Sequence, residues 1–262
     1  MSYVLICAVA FIVSGLTLFS GFGLGTVLMP AFALFFPVEV AVAATAVVHL
    51  ANNIFKVFLV GRRADVKVVA AFAVPAAVFA AVGAALLGYF ATLKPLVEYA
   101  IGGRQCQVTV VKLVIAVLVG GFAVLDLIPR FENLAVNRKY IPLGGALSGF
   151  FGGLSGIQGA LRSVFLLKAG LGKESFVGTV VLSAVIVDIS RLSIYGMTFF
   201  SRHLEQLRAG GGIGLVVAGS LAAFLGAFLG AKLLKKITMK TVKIMVGVML
   251  LAIAAALGTG IV

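Results

Sequence analysis

Two glycine-rich breaks, one in each half of the chain, constrain its fold more than any other feature of the sequence. The first is SGFGLG at residues 20–25, and the second is LSGIQG at residues 154–159. Adding 135 to a residue number aligns Gly21 with Gly156, Glu39 with Glu174, Asn53 with Asp188, Lys56 with Arg191 and Gly61 with Gly196. This register predicts an internal repeat.

The apolar runs around the breaks are too short and too interrupted to be ordinary membrane-spanning helices. Residues 26–36 would form a helix of about 16 Å, roughly half the thickness of a bilayer core. Unwound backbone is tolerated at membrane depth where it lines a cavity, and paired broken helices indicate a transporter's binding site. The breaks therefore predict a substrate site near the membrane midplane, formed by Ser20, Gly21, Gly23, Gly25, Ser155, Gly156, Gln158 and Gly159.

Composition places the chain among integral membrane proteins. Hydrophobic residues make up 62% of the sequence and charged residues 11%, with a mean hydropathy of +1.22, whereas about a quarter of the residues in soluble domains are charged. The apolar runs are continuous rather than alternating, which favours helices over a barrel. The net charge of +13 comes from cations clustered between these runs, so it indicates loop orientation rather than nucleic-acid binding.

Each half is predicted to be a broken-helix hairpin followed by three transmembrane helices. The hairpins cover residues 3–36 and 141–170, and the spans cover residues 40–60, 67–90, 110–128, 175–198, 211–233 and 242–261. A hairpin returns to its starting side and three spans do not, so the halves should be inverted repeats. We therefore predict an all-α membrane protein with repeats at residues 1–136 and 137–262, which form one integrated transporter domain.

Loop charges predict the orientation. If Arg62 and Arg63 are cytoplasmic, thirteen Lys and Arg residues of the loops lie inside and five lie outside, and both termini lie outside an inner (plasma) membrane. No basic residue precedes the first apolar run, so we expect that run to be retained rather than cleaved as a signal peptide. A second interpretation remains open, in which each short run continues into the next span as one long helix.

Polar side chains inside the spans predict further site residues. Thr45, His49, Asn52, Asn53 and Lys56 recur at helical spacing and form one stripe. The second half has Thr179, Ser183, Asp188 and Arg191. Because an ionisable group near the bilayer centre costs about 2.5–3.5 kcal/mol, such residues usually face a cavity or each other. We assign them to substrate binding, with His49 and Asp188 as candidates for proton coupling.

Structural roles are open alternatives for four of these residues. Asp188 and Arg191 are three residues apart and would also suit an ion pair. Lys56 lies near a helix end, from which it would reach the membrane interface. His49 would also suit a packing role.

The motifs resemble a known family. GFGLGTVLMP at residues 21–30, Pro37, the alanine-rich stretch Ala41 to Thr45 and the GRR at residues 61–63 resemble the sulfite exporter TauE/SafE family. GGLSG at residues 152–156, with Glu174, Gly178 and Thr179, resembles its second repeat. The resemblance implies a carrier that moves sulfite, sulfonates or related organosulfur anions across a bacterial-type inner membrane.

The second repeat departs from the family pattern at three positions. Gln158 interrupts the glycines, Arg162 enters the short helix, and Phe165 stands where the first repeat has Pro30. These changes add an amide and a cation near the predicted site, so an oxyanion fits while the identity of the substrate stays open. Arg162 would alternatively anchor the hairpin at its outer turn.

An anion site also follows from the physics of the broken helices. Helices that begin near Gly25 and Gly159 present unpaired backbone N–H groups and the positive end of the helix dipole. Arg191, Arg162 or Lys56 would supply a countercharge. An inside-negative potential favours export of an anion, by about 2.3 kcal/mol per charge per 100 mV.

Other functions stay open. The alternatives are an anion channel, a carrier for a non-sulfur anion such as a carboxylate, and a membrane-embedded assembly subunit. An enzyme is not expected, because no zinc-binding, nucleophile–base or paired-carboxylate pattern occurs. Two cysteines without metal-binding spacing predict no metal or other cofactor. The expected partners are a small anion and the lipid bilayer, and the oligomeric state is open.

Overall fold

A computed structural model describes residues 2–20, 24–128, 136–167, 169–200, 212–233 and 239–261. Gly21 and Gly23 of the first break lie outside these residues, as do the predicted outer-loop cations Arg202 and Arg208. The helices are α1 (Ser2–Ser20), α2 (Leu24–Ala33), α3 (Val38–Val60), α4 (Val66–Phe90), α5 (Val110–Leu127), α6 (Ile141–Ser155), α7 (Gly159–Leu166), α8 (Lys173–Tyr195), α9 (Gly212–Leu233) and α10 (Met239–Thr259).

The protein is a helical, multi-pass membrane protein, as predicted. In the described part of the chain, four helical segments are long and apolar enough to cross a membrane: Val38–Phe58, Val66–Phe90, Lys173–Thr198 and Gly212–Leu229. The apolar portions of α5 and α10, Val110–Leu125 and Val246–Thr259, are shorter. Six full spans were expected, and length and composition support four of them.

The short helices are separate from the helices that follow them. Two backbone N–H groups after α2, those of Phe35 and Phe36, donate to the carbonyl of Phe32 and close a turn. Pro37 then precedes α3. After α7, Gly170 has a φ of +76° and Gly172 precedes α8. The structure therefore differs from the alternative in which each short run and the next span form one helix.

A β-hairpin joins α4 to α5, where a loop was expected. Its strands are β1 (Val97–Ile101) and β2 (Arg104–Val108). Gly102 and Gly103 connect them with φ values of +58° and +81°, because a two-residue hairpin turn of this hand needs positive φ at both positions. Tyr99 donates a hydrogen bond to the carbonyl of Thr259 at the end of α10. The hairpin is an addition to the predicted all-helical fold and lies away from the breaks.

Glycines bring helices from the two halves into close contact. A Cβ on any of three glycines of α6 would collide with a carbonyl of α4: Gly145 with Phe72, Gly149 with Ala76 and Gly153 with Ala80. A Cβ on Gly226 of α9 would likewise collide with the carbonyl of Phe11 of α1. Small residues permit this approach because they place no bulky side chain between the two backbones. Close packing in turn supplies much of the association energy of membrane helices.

Helices α3 and α8 pack against each other and run in opposite directions. The turn after α3 lies beside the start of α8, where Arg63 forms an ion pair with Glu174. His49, fourteen residues before Arg63, contacts Asp188, fourteen residues after Glu174. This equal spacing from both contacts is what an antiparallel helix pair requires.

Candidate functional site

The central contact between α3 and α8 is a network of buried polar side chains. His49 Nδ1 lies 2.6 Å from Asp188 Oδ2, and both side chains are almost completely shielded from solvent. Asn53, one turn after His49, places its amide nitrogen 3.0 Å from His49 Nδ1 and 3.3 Å from Nε2. The short contact with the carboxylate fits an Nδ1–H group that donates to Asp188. The network links the two helices.

Asp188 is fully hydrogen-bonded by its neighbours. Its Oδ1 accepts from Arg191 Nε at 3.0 Å, from Arg191 Nη2 at 2.7 Å and from Gln158 Nε2 at 3.2 Å. Arg191 Nη1 donates to the carbonyl of Gly152 in α6 at 3.1 Å. The side chains of Asp188 and Arg191 are 0% exposed. The pair therefore joins α8 to the end of α6 and to the second break.

The second break has a defined backbone geometry. Gly156 ends α6 with a φ of +80°, a conformation that only glycine adopts readily. Ser148 donates to the carbonyl of Gln158 at 3.0 Å, which ties the start of α7 back to α6. No side chain caps the N-terminus of α7. The backbone N–H groups of its first turn therefore have no side-chain acceptor.

The first break approaches the second. A Cβ placed on Gly25 would lie 2.9 Å from the carbonyl oxygen of Gly156 and 3.8 Å from Thr45 Cγ2. Within the described residues, α2 therefore begins against the left-handed turn that ends α6. Glycine at position 25 is required by this contact rather than by a special backbone angle.

Several buried polar atoms around this meeting point have no hydrogen-bond partner. They are Thr45 Oγ1, Gln158 Oε1, Ser183 Oγ, Arg162 Nε and Arg162 Nη1. Native structures leave few buried polar groups unsatisfied, so each such group needs an explanation. Arg162 is the most costly of them, because it is a cation that is 5% exposed. Its burial differs from the alternative in which it anchors an outer turn.

Lys56 adds a second buried cation. It lies two turns after His49 on α3 and is 6% exposed, so it is enclosed by protein rather than extended to the membrane interface. Arg162 lies one turn along α7 from Gln158, and Gln158 and His49 both contact Asp188, so the two cations lie within two turns of the same network. In the antiparallel register that pairs His49 with Asp188, Ser183 lies level with residue 54, between Asn53 and Lys56.

Other predicted residues have local or separate partners. Asn52 accepts from Ser14 of α1 at 3.2 Å, and Ser155 donates to Phe151 of its own helix at 2.9 Å. Thr179 accepts from the backbone N–H of Asp65 at 3.0 Å, about 13 Å along α8 from Asp188. Thr179 thus lies away from the network. The side chain of Ser20 lies outside what the structure describes, as do Gly21 and Gly23.

Three residues that hydrogen-bond to predicted site residues or to the second break were not predicted. Ser14 and Ser148 are polar residues inside apolar runs, and that interruption was the available signal. Tyr195, in the last turn of α8, donates a hydrogen bond to the carbonyl of Gly153. Its position gave no signal, because a tyrosine near a helix end is common at the membrane interface.

The described residues contain no group of three or more His, Cys, Asp or Glu side chains that could hold a metal ion. The lysine, arginine, histidine and carboxylate side chains buried among them are His49, Lys56, Arg162, Asp188 and Arg191. What the site offers is N–H donors, hydroxyl groups and positive charge. These groups complement an oxyanion.

Comparison with known proteins gives one match. The model of the family described as Sulfite exporter TauE/SafE matches residues 6–257, which is nearly the whole chain. No curated protein and no solved structure matches.

Proposed function

Since the chain belongs to the sulfite exporter TauE/SafE family, whose members are membrane transporters rather than enzymes, we propose that it is a secondary transporter. It exports a small sulfur oxyanion or organosulfur anion, such as sulfite or a sulfonate, across the inner membrane. The anion binds near the midplane, between the breaks that join α1 to α2 and α6 to α7.

The observation that carries this proposal is the unsatisfied guanidinium of Arg162. Its Nε and Nη1 are buried and have no partner, and they belong to the first turn of α7. An oxyanion would accept from these donors and from the uncapped N–H groups of the same turn. Thr45 and Ser183 also have unpartnered buried hydroxyl oxygens. Their hydroxyl groups would contribute further donors after rotation, whereas the amide of Gln158 already donates to Asp188.

We further propose that the halves are inverted repeats. Shifting the bounds of α3, Val38–Val60, by 135 residues gives the bounds of α8, Lys173–Tyr195, and the two helices run antiparallel. The same register takes α1 onto α6, and α4 holds the place in the order of its half that α9 holds in the second half. The glycine contacts of α4 with α6 and of α1 with α9 are therefore equivalent, as exchange between two inverted halves would produce.

Orientation follows from the loop cations. With Arg62 and Arg63 in the cytoplasm, both termini lie outside, and an inside-negative potential favours export of the anion. In a variant without native cysteines, Glu98→Cys should react with an impermeant reagent in intact cells, and Arg63→Cys should react only after permeabilisation. The reverse pattern would contradict this orientation.

His49 and Asp188 are the groups through which proton coupling would act. Their contact bridges α3 and α8, so a change of protonation would alter the link between the two helices. Transport without dependence on a proton gradient would remove this part of the proposal.

Counterflow in liposomes tests the transport function. Purified protein is reconstituted with unlabelled sulfite inside, and labelled sulfite is added outside. The proposal predicts saturable accumulation that sulfonates inhibit. A Gly196→Val variant should transport like wild type, because a Cβ at Gly196 meets nothing within 4 Å. Conductive flux without counterflow would favour an anion channel, and counterflow of carboxylates alone would favour a non-sulfur carrier.

A further inference from the structure

We infer that the site binds its substrate as a doubly charged anion, with Arg162 and Lys56 each balancing one negative charge. The inference rests on the proposed function, which it extends from the kind of substrate to its charge. Arg191 is then a positioning residue rather than a substrate ligand.

The buried charged side chains do not balance one another. Among the side chains that the structure describes, the buried lysine, arginine and carboxylate groups are Lys56, Arg162, Arg191 and Asp188. Asp188 and Arg191 bond to each other through two hydrogen bonds. Lys56 and Arg162 remain, and the described residues include no ion pair to either of them. Buried charges are normally paired, so these two cations call for a counter-charge of about −2.

Arg191 and Arg162 differ in whether their N–H donors are already used. Arg191 directs Nε and Nη2 to Asp188 and Nη1 to Gly152. Arg162 has Nε and Nη1 buried without partners. Free guanidinium N–H groups donate charge-assisted hydrogen bonds to the oxygens of an oxyanion, which an already engaged guanidinium cannot do. Arg162 therefore provides the directional contact.

The two remaining cations, Lys56 and Arg162, belong to different helices. Lys56 comes from α3, whereas Arg162 comes from α7, so an anion between them would be held from two sides of the site. A lysine ammonium is a compact charge with rotatable donors, suited to an oxygen that Arg162 does not hold. A monoanion would satisfy Arg162 and leave Lys56 uncompensated. A dianion satisfies both.

Anions of similar shape and different charge test the inference. The full-length protein in detergent is titrated calorimetrically with sulfate and perchlorate, which are both tetrahedral, and with sulfoacetate and methanesulfonate, which share a sulfonate. We expect the dianion of at least one pair to bind about 10- to 100-fold more tightly, the effect of a hydrogen-bonded charge. Equal affinity within both pairs would overturn the inference.

Charge-removing variants identify the residues. Arg162→Gln should weaken dianion binding more than monoanion binding and so remove most of the preference, because one positive charge then remains at the site. Arg162→Lys keeps the charge and should restore part of the preference, and Lys56→Met should reduce it. Arg63→Gln is the control, because Arg63 is exposed and pairs with Glu174. An Arg162→Gln protein that keeps the preference would overturn the assignment.

The two proposals fail in different ways. Wild-type protein that carries sulfite by counterflow and binds monoanions as tightly as dianions would disprove the charge inference alone. Wild-type protein that neither binds nor carries any of these oxyanions would disprove the proposed function. If Arg162→Gln does not fold, the wild-type comparison and Arg162→Lys still decide the outcome.

Discussion

Helices α3 and α8 carry polar residues at equivalent positions of the repeat, but they use them differently. Asn53 and Lys56 on α3 align with Asp188 and Arg191 on α8. On α8 the acid and the base bond to each other, and the base also donates to the carbonyl of Gly152. On α3 the acid is replaced by an amide that contacts His49, and the lysine is left as a buried cation. One pair is complete without a ligand, and the other is not.

This difference separates two demands on a transporter. A buried ion pair whose donors and acceptors are all used holds helices in place, because breaking it exposes an unpaired charge. A buried cation without a carboxylate is costly until an anion arrives. The α8 pair therefore supports the fold around the second break, whereas Lys56 and Arg162 of α7 are the cations that we propose for the substrate.

The largest expected effect comes from breaking the complete pair. Asp188→Asn or Arg191→Gln should destabilise the protein by about 3–5 kcal/mol, because each leaves its partner buried and unpaired. Lys56→Met, at the position equivalent to Arg191, should leave stability unchanged or raise it, because it removes an uncompensated buried charge. Thermal unfolding in detergent and folded yield measure both. If Lys56→Met were as destabilising as Arg191→Gln, the distinction between the two pairs would be wrong.

The breaks should be sensitive to a side chain at the point where they meet. Gly156→Val should cost about 1–2 kcal/mol, because Gly156 adopts a left-handed conformation, and it should abolish counterflow. Gly25→Ala should also abolish counterflow, because its methyl group would lie 2.9 Å from the Gly156 carbonyl oxygen. Gly196→Val serves as the control. Wild-type counterflow by the Gly25 and Gly156 variants would place these glycines outside the transport path.

The smallest expected effects compare two hydroxyl residues one turn apart on α8. Thr179→Val should lower stability by about 1 kcal/mol without changing anion affinity, because its hydroxyl accepts from the backbone of Asp65. Ser183→Ala should leave stability unchanged and weaken anion binding a few-fold, because Ser183 Oγ has no protein partner. Thermal unfolding and calorimetric titration separate the two. An affinity loss confined to Thr179→Val would contradict the assignment.

Much of the helical framework could be predicted from apolar runs and glycine breaks. The span expected at residues 40–60 is α3, Val38–Val60, and the short run expected at residues 160–170 is α7, Gly159–Leu166. These elements depend on local pattern, which the sequence displays directly. The hairpin turn at Gly102 and Gly103 was missed because two glycines in a polar loop do not by themselves specify strand pairing.

The partners of the polar residues could be predicted only in part. Helical spacing placed His49 and Asn53 on one face, and the repeat register suggested that Asp188 and Arg191 belong with them. Spacing does not reveal which atoms meet across 139 residues, as His49 and Asp188 do. Spacing likewise predicted the same role for Thr179 and Ser183. Only tertiary packing decides that the Thr179 hydroxyl accepts from the backbone N–H of Asp65, just before α4.

The most direct test of this account compares two arginines. Sulfate affinity and folded fraction are measured side by side for Arg162→Gln and Arg191→Gln. The account predicts that Arg162→Gln folds like wild type and binds sulfate at least about tenfold more weakly. It predicts that Arg191→Gln loses folded protein, and that any folded fraction keeps measurable sulfate binding. A well-folded Arg191→Gln that cannot bind sulfate, beside an Arg162→Gln that binds it normally, would contradict the account.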